Sequence, residues 1–519
     1  MYKLGIDVGG TNTDAVLIDE NLRVVADIKY PTSGDVYEGI LGAVRRVLEV
    51  SGVDRSQIRQ AMLGTTQCTN AIVERKNLAP FGILRIGAPA SLGIRPMVDW
   101  AEDLQVICAG SAVVGGGFEY DGKELAPFDR DAAAAFFRDM GEKGVKSIAI
   151  SCVFSTVRND HEREAAALCR EILGEDVHIS VSSEIGSMGL IERENATILN
   201  AALWKVAERF TEGFAQSLAD EGITQADVYL SQNDGTLMTM DHARRYPILT
   251  VACGPTNSIR GASYLSSLKN AIVLDVGGTT TDLGVIQNGF PRESSVAVTI
   301  GGVRTNFRMP DVLSIGLGGG SIVRQRPDGT VTVGPDSVGY EITQKAKIFG
   351  GDVLTATDIA VRLGMADLGD PALVADVPED LARAALDAIR TLVEDAIDAM
   401  KVSSGDSDVI LVGGGSIVLP EDLAGAAQVV KPDHFGCANA IGSAISKVSG
   451  TFEKLMNYDE LPRDQALAQA KAEAVELAVA AGAVRDTVEI IEVEDVPLAY
   501  YPGNTNRVKI KAAGDLCTA

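Results

Sequence analysis

Positive charge is scarce in this sequence: 46 lysines and arginines face 71 aspartates and glutamates, for a formal net charge of −25. Such a surface repels a phosphate backbone, and no basic patch offsets it, so nucleic acid is excluded as a partner. Paired cysteines are missing as well. The seven present (Cys68, Cys108, Cys152, Cys169, Cys253, Cys437, Cys517) are scattered singly with no C-x-x-C, the usage expected of reduced, buried thiols. No apolar run is long enough to span a bilayer, and Tyr2 to Val8 enters a strand with no basic region or cleavage site before it. The expectation is a soluble, cytoplasmic protein without a membrane partner. Two common nucleotide motifs are also absent. Without G-x-x-x-x-G-K-[ST] there is no P-loop, and without G-x-G-x-x-G opening a helix there is no dinucleotide fingerprint.

What the sequence has is length and a repeat. Its 519 residues exceed one hydrophobic core, and 46 % hydrophobic against 23 % charged residues is the balance of a folded, multi-lobed protein. Ile6 to Ile18 reads IDVGGTNTDAVLI and Leu274 to Ile286 reads LDVGGTTTDLGVI, identical at eight of thirteen positions, Asp7/Asp275 and Asp14/Asp282 among them. Each copy is an apolar run, a Gly-Gly turn and a second apolar run, the pattern of a β-hairpin, so two lobes of like construction are expected. Strands are expected over residues 146–154 and 177–182, and helices over 160–173, 195–219, 254–268, 378–401, 438–447 and 463–481. The predicted class is α/β, in three parts: a first lobe with an inserted segment (1–253), a second lobe (254–450) and a small α+β C-terminal appendage (451–519).

The chemistry is sought in the hairpins. A Gly-Gly turn has no Cβ to block a phosphate and can aim successive N–H groups at one anion; the neighbouring threonines add hydroxyls. Gly9, Gly10, Thr11, Asn12 and Thr13, with Gly277, Gly278, Thr279 and Thr280, are the predicted phosphate cradle. Asp7 and Asp275, at the strand ends, are the candidate catalytic carboxylates and are suited to hold the waters around Mg²⁺. Gly413, Gly414 and Gly415 put bare backbone after a buried strand, where a purine or ribose could lie flat. Gly318 and Gly319 of GLGGGS are counted with the nucleotide site.

The two hairpins, VILVGGGSIVLP (409–420) and ANAIGSAISK (438–447), taken as an ordered set, resemble the actin, sugar-kinase and Hsp70 superfamily, which implies a two-lobed, ribonuclease H-like ATPase fold holding Mg-ATP between its lobes. A closer resemblance is to the A-subunit family of ATP-dependent hydantoinases and 5-oxoprolinases, which also includes a subunit of acetone carboxylase. It is carried by Gly64-Thr65-Thr66, Thr69-Asn70-Ala71, Glu74-Arg75, Phe154, His161-Glu162, Glu192-Arg193, Asn200-Ala201, QNDGTLM (232–238), Gly254-Pro255, Gly261-Ala262, GGGS (318–321) and VGPDS (333–337).

That family implies ATP and Mg²⁺ as cofactors, transfer of a γ-phosphoryl group to the carbonyl oxygen of a cyclic amide, and hydrolysis with a B-type partner subunit. Thr65, Thr66, Asn70 and Asn233 are the candidate substrate contacts, although the threonines and Asn70 suit a helix cap equally and Asn233 suits a turn. Leu63 stands where the family has His, residues 339–351 replace its Pro-Gly-Pro-Ala-Cys-Tyr segment, and only a short tail follows residue 450. Two other functions stay open: a nucleotide-driven reactivating factor for a partner enzyme, and a small-molecule kinase. A homo-oligomer is also left open.

Overall fold

The computed structural model describes the chain except for Thr11, residues 32–35 and 295–296, Arg308, Val402, Tyr500, Pro502 and residues 517–519. The expectations for Thr11 and Cys517 lie outside the described residues. Two sheets of the same strand order organise the molecule. In the first, Val24–Pro31, Asn12–Asp19, Tyr2–Val8, Ile58–Thr65 and Asp227–Ser231 lie side by side. In the second the order is Phe290–Pro291, Thr281–Gln287, Ala271–Val276, Ser407–Val412 and Ala426–Val430. Each begins as an antiparallel meander and continues in parallel strands. The chain therefore has a two-lobed, actin-like α/β fold, and the sequence repeat is a repeat of topology.

The expected elements are present with shifts of a few residues at their ends. Helices run over Asp160–Leu173, Cys253–Ser266, Glu379–Met400, Ala438–Ala444 and Arg463–Ala480, and the helix expected at 195–219 begins earlier, covering Leu190–Asp220. That early start has a tertiary cause. From Arg193 to Leu203 the helix is buried on every side, pressed between the first lobe and an inserted parallel sheet formed by Cys108–Gly115, Phe81–Ala88, Ser147–Cys152 and His178–Val181. Its charged residues survive burial by pairing: the Glu194 carboxylate accepts from Arg85 Nε at 2.7 Å, and Arg193 donates to the Cys152 carbonyl at 2.7 Å. Helical periodicity alone cannot show a turn buried all round.

The segment beyond residue 450 continues the first lobe's sheet. Lys447–Asn457 pairs with Thr236–Thr239, then Thr505–Gly514 and Glu489–Pro497 extend the sheet to nine strands, and Arg463–Ala480 packs alanines against it. Lys511 reaches Asp234 at 2.9 Å and Glu293 at 2.8 Å, which ties this extension to the turn at 232–235 and to the second lobe.

The lobes meet where Cys253–Ser266 crosses Ala438–Ala444. Both helices touch backbone to backbone: a Cβ on Gly261 would overlap the Ala438 carbonyl, and one on Gly442 would overlap the Asn257 carbonyl. Glycine at these two positions is what lets the crossing close. No helix among the described residues is long and apolar enough to cross a membrane.

Candidate active site

The crossing carries the ends of both hairpins to one place. Asp7 and Asp275 stand on the inner strands of the two sheets, directly opposite Asp14 and Asp282 on the returning strands. The consecutive residues Asn257 and Ser258 of the crossing helix serve the two carboxylates separately. Ser258 Oγ donates to Asp275 Oδ2, and the Asn257 amide and Asp7 Oδ1 both border the space where a Cβ on Gly64 would stand. From the other crossing helix, Asn439 Nδ2 donates to Asp7 Oδ2 at 3.0 Å.

Burial dominates the electrostatics. It pushes the Asp7 carboxyl up to about 7, helped by repulsion from Asp14 and Asp275 and opposed by the amides of Asn257 and Asn439. Asp275 is raised for the same first reason, against the pull of the Ser258 hydroxyl and the Lys29 ammonium. Asp282 rises to about 6, again through burial, with Ser314 bonding it and Asp275 repelling it. Lys29 is the positive counterweight. Its Nζ sits 2.8 Å from both Asp14 oxygens, and its carbon chain comes within contact range of where a Cβ on Gly414 or Gly436 would stand. Burial disfavours its charge, but Asp14, Cys437 and Asp275 outweigh that and hold its pKa above the usual lysine value.

The glycine turns close the hairpins that carry this cluster. The Gly9 N–H closes its turn on the Asn12 carbonyl at 3.0 Å, and the Gly277 N–H does the same on Thr280 at 2.9 Å. Among the described residues, a Cβ on Gly10 would meet nothing within 4 Å. Behind the second turn, Gly319 and Gly320 N–H donate to the carbonyls of Gly277 (3.0 Å) and Gly278 (2.7 Å). A Cβ on Gly318 would stand 2.6 Å from the Thr279 nitrogen. Gly413 ends its strand at φ +82°, against Asp275, and Gly415 lies on the Gly277 carbonyl. Gly9, Gly10, Asn12 and Thr13 thus lie in the hairpin that carries Asp7, Gly277, Gly278, Thr279 and Thr280 in the one that carries Asp275, and Gly318, Gly319, Gly413 and Gly415 pack on the second hairpin, with Gly414 near Lys29.

The remaining candidates are placed differently. Thr65 and Thr66 end the strand beside the first hairpin, with the Thr66 N–H and hydroxyl both on the Val8 carbonyl at 3.3 Å. Thr66 is the N-cap position of Gln67–Glu74, without a side-chain cap bond. Asn70 lies one turn on and lines a separate cavity. Asn233 is buried beneath the crossing helix, its carbonyl taking the Thr256 hydroxyl at 2.8 Å. Cys253 exchanges bonds with the Thr65 backbone, and His161 stacks on Phe118, so both pack rather than face the cleft.

Asn257, Ser258, Asn439 and Lys29 were not anticipated. They come from three distant elements, a neighbouring pair from one helix and single residues from a second helix and a strand, and only Asp14 and Asp282 left a trace, as identical positions of the repeat.

The cluster suits a hard divalent cation. Asp7 Oδ1 is buried and has no hydrogen-bond partner, nor has the Asn257 amide, so a carboxylate oxygen is left free for an ion or its water. No group of three or more Asp, Glu, His or Cys able to hold a metal ion by themselves occurs among the described residues. An ion completed by water and phosphate oxygens is the one these residues fit.

Comparison with known proteins gives the chain a family. Sequence models of the hydantoinase/oxoprolinase family match residues 3–173, as its N-terminal region, and residues 193–370. The chain belongs to the hydantoinase/oxoprolinase family. Caprolactamase subunit alpha of Pseudomonas jessenii is 28 % identical over 76 % of this chain and 59 % of its own length. The 5-oxoprolinase of Saccharomyces cerevisiae is 26 % identical over 70 % of this chain and 31 % of its own. This family member therefore spans only part of each relative. The crystal structure of the ATP-dependent caprolactamase from Pseudomonas jessenii shares its fold, with a TM-score of 0.78, 22 % identity, and coverage of 99 % of this chain and 87 % of that one.

Proposed function

We propose that the chain is the ATP-binding subunit of an enzyme that activates a cyclic amide for hydrolysis. The observation that carries this reading is the meeting of Asp7 and Asp275, one from each lobe, between two bare glycine turns. An unactivated ring amide is a poor electrophile; bonding its carbonyl oxygen to phosphorus, with the bond to ADP breaking, turns that oxygen into a leaving group. Transfer of this kind asks of a protein mainly positioning and neutralisation of charge. Asp7 and Asp275 would hold Mg²⁺ through its waters, and the ion would supply the charge that offsets the phosphates in so acidic a protein.

The turn amides at Gly9–Gly10 and Gly277–Gly278 would bind phosphate oxygens, with Thr13, Thr279 and Thr280 adding hydroxyls. Gly413 to Gly415 would carry the adenosine. Lys29, held by Asp14 on the cleft wall, is placed to meet negative charge from the nucleotide. Asn439 and Asn257 position Asp7, and Ser258 positions Asp275. Water attack on the activated carbonyl would belong to a B-type partner subunit, in keeping with relatives that are named as subunits.

The test is a screen of lactams, hydantoins and imides for ADP release by the purified chain, alone and with the protein encoded beside it. The reading predicts ring-dependent ADP release that Asp7→Ala and Asp275→Ala each lower by about 10² or more. It is abandoned if the wild-type chain binds no nucleotide, or if both variants turn over normally.

A further inference from the structure

A row of bare backbone runs along the second hairpin, from Gly415 outward. A Cβ on Gly415 would overlap the Gly277 carbonyl, and one on Gly319 would come within 3.9 Å of the Gly415 Cα. Gly320 is next: a Cβ there would stand 3.0 Å from the Gly278 carbonyl and 2.8 Å from Ser337 Oγ. Ser337 Oγ in turn donates to the Gly278 carbonyl at 3.3 Å and accepts the Gly339 N–H at 3.0 Å. Gly339 has φ +56°, and its missing Cβ would lie 3.8 Å from Thr279 Oγ1, at the tip of the hairpin. The residue that follows is Tyr340.

A single apolar side chain at a surface is ordinary and marks nothing by itself. What sets Tyr340 apart is its seat and its freedom. Tyr30, 36 % exposed, lies over Gly42, and Tyr120, 40 % exposed, meets the Tyr501 ring edge-on with centroids 5.3 Å apart. Tyr340 is 72 % exposed, and its side chain makes no hydrogen bond or ring contact among the described residues. The turn beneath it is nonetheless held. The Glu341 N–H donates to the Val338 carbonyl at 3.2 Å, and the Glu341 carboxylate pairs with Lys345 at 2.6 Å. A free ring therefore stands on a fixed base at the end of a glycine floor. It also opens residues 339–351, where this sequence carries a segment of its own in place of the family's.

We propose that Tyr340 stacks on the base of a nucleotide laid along this floor, and so sets the preference for a nucleotide over a bare phosphate chain. This rests on the reading of the cleft as the nucleotide site. Glycine backbone gives a flat ring one face to lie on and no apolar side chain to cover the other. The phenol supplies that second face, and holding it still fixes only two side-chain torsions. Stacking uses the π-face of the ring and not the hydroxyl, so phenylalanine serves in its place.

The experiment titrates the full chain calorimetrically with ADP and with pyrophosphate, two Mg²⁺ ligands that differ by the adenosine. Tyr340→Ala is expected to weaken ADP binding about tenfold or more and to leave pyrophosphate binding and the urea midpoint unchanged, whereas Tyr340→Phe keeps the parent affinity for both. In Tyr340→Trp the new indole should be quenched by ADP and not by pyrophosphate, above the response of Trp100 and Trp204 in the parent. Unchanged ADP affinity in Tyr340→Ala, an equal loss for ADP and pyrophosphate, a loss in Tyr340→Phe that matches Tyr340→Ala, or an indole blind to ADP overturns the assignment. A parent that binds ADP while position 340 makes no difference removes this inference alone. A parent that binds neither ligand removes the reading of the cleft and this inference with it.

Discussion

The two hairpins share a sequence and a topology but not a setting. In the second, the turn is braced from behind by Gly318 to Gly320, and its carboxylate is bonded by Ser258. In the first, no described residue stands within 4 Å of a Cβ on Gly10, and Asp7 keeps one oxygen without a partner among the described residues. The returning strands differ in the same sense: Asp14 faces Lys29, whereas the matching Asp282 faces Ser314. Duplication supplied the frame, and the neighbours made one copy a fixed wall and the other the side with chemical capacity in reserve.

The largest effect is expected where the wall is braced. A Val at Gly318 would drive its Cβ into the Gly278–Thr279 backbone, which has no flexible side chain to yield. Overpacking of this kind costs about 1–3 kcal/mol and sometimes more, so Gly318→Val should lower the urea midpoint and abolish nucleotide binding together. A variant of wild-type stability would show that the second turn is not held from behind.

Next comes Asp7. Its folded pKa, pushed by burial up to about 7 from the ordinary aspartate range, means that between those values the folded state holds a proton which the unfolded state releases. The Asp7 contribution to stability in metal-free buffer should therefore be fullest below about pH 4 and be lost as pH rises from there toward 7, by a total on the order of a few kcal/mol. Asp7→Asn should flatten that slope while losing turnover, and added Mg²⁺ with nucleotide should stabilise only the parent. Denaturation midpoints across pH 4 to 8 read both signs; an unchanged slope in Asp7→Asn would place the burden on another group.

Lys29 and Ser314 give a smaller contrast. Removing Lys29 leaves Asp14 buried without its cation, but Lys29 itself is 37 % exposed, so Lys29→Met should cost about 1–3 kcal/mol, between the surface and buried limits for ion pairs. Ser314→Ala removes one hydrogen bond from Asp282 and should cost about 1 kcal/mol. Equal losses in thermal or chemical melts would erase the asymmetry between the lobes.

Much of this was legible in the chain itself. The hairpins announced themselves through alternation and Gly-Gly turns, and Asp7 and Asp275 through their place at the strand ends. Helices such as Asp160–Leu173 followed from period alone. What escaped were residues brought in singly by the crossing: Asn257 and Asn439 lie 182 residues apart and meet Asp7 only because Gly261 and Gly442 let two helices touch. The pairing of Thr505–Gly514 into the first sheet was equally hidden, since strand partners so far apart leave no periodic trace.

The smallest structural effect carries the sharpest contrast. An Ala at Gly10 meets no described residue within 4 Å, and its backbone is not in the left-handed region that favours glycine, so Gly10→Ala should change stability by no more than about 0.5 kcal/mol. The added methyl group would nonetheless stand on the face where the first turn presents its amides, and nucleotide affinity should fall by about tenfold or more. Measured side by side, Gly318→Val would lose fold stability and binding together, and Gly10→Ala binding alone. If Gly10→Ala leaves nucleotide affinity intact, the open turn does not face the phosphates, and the second hairpin must hold them by itself.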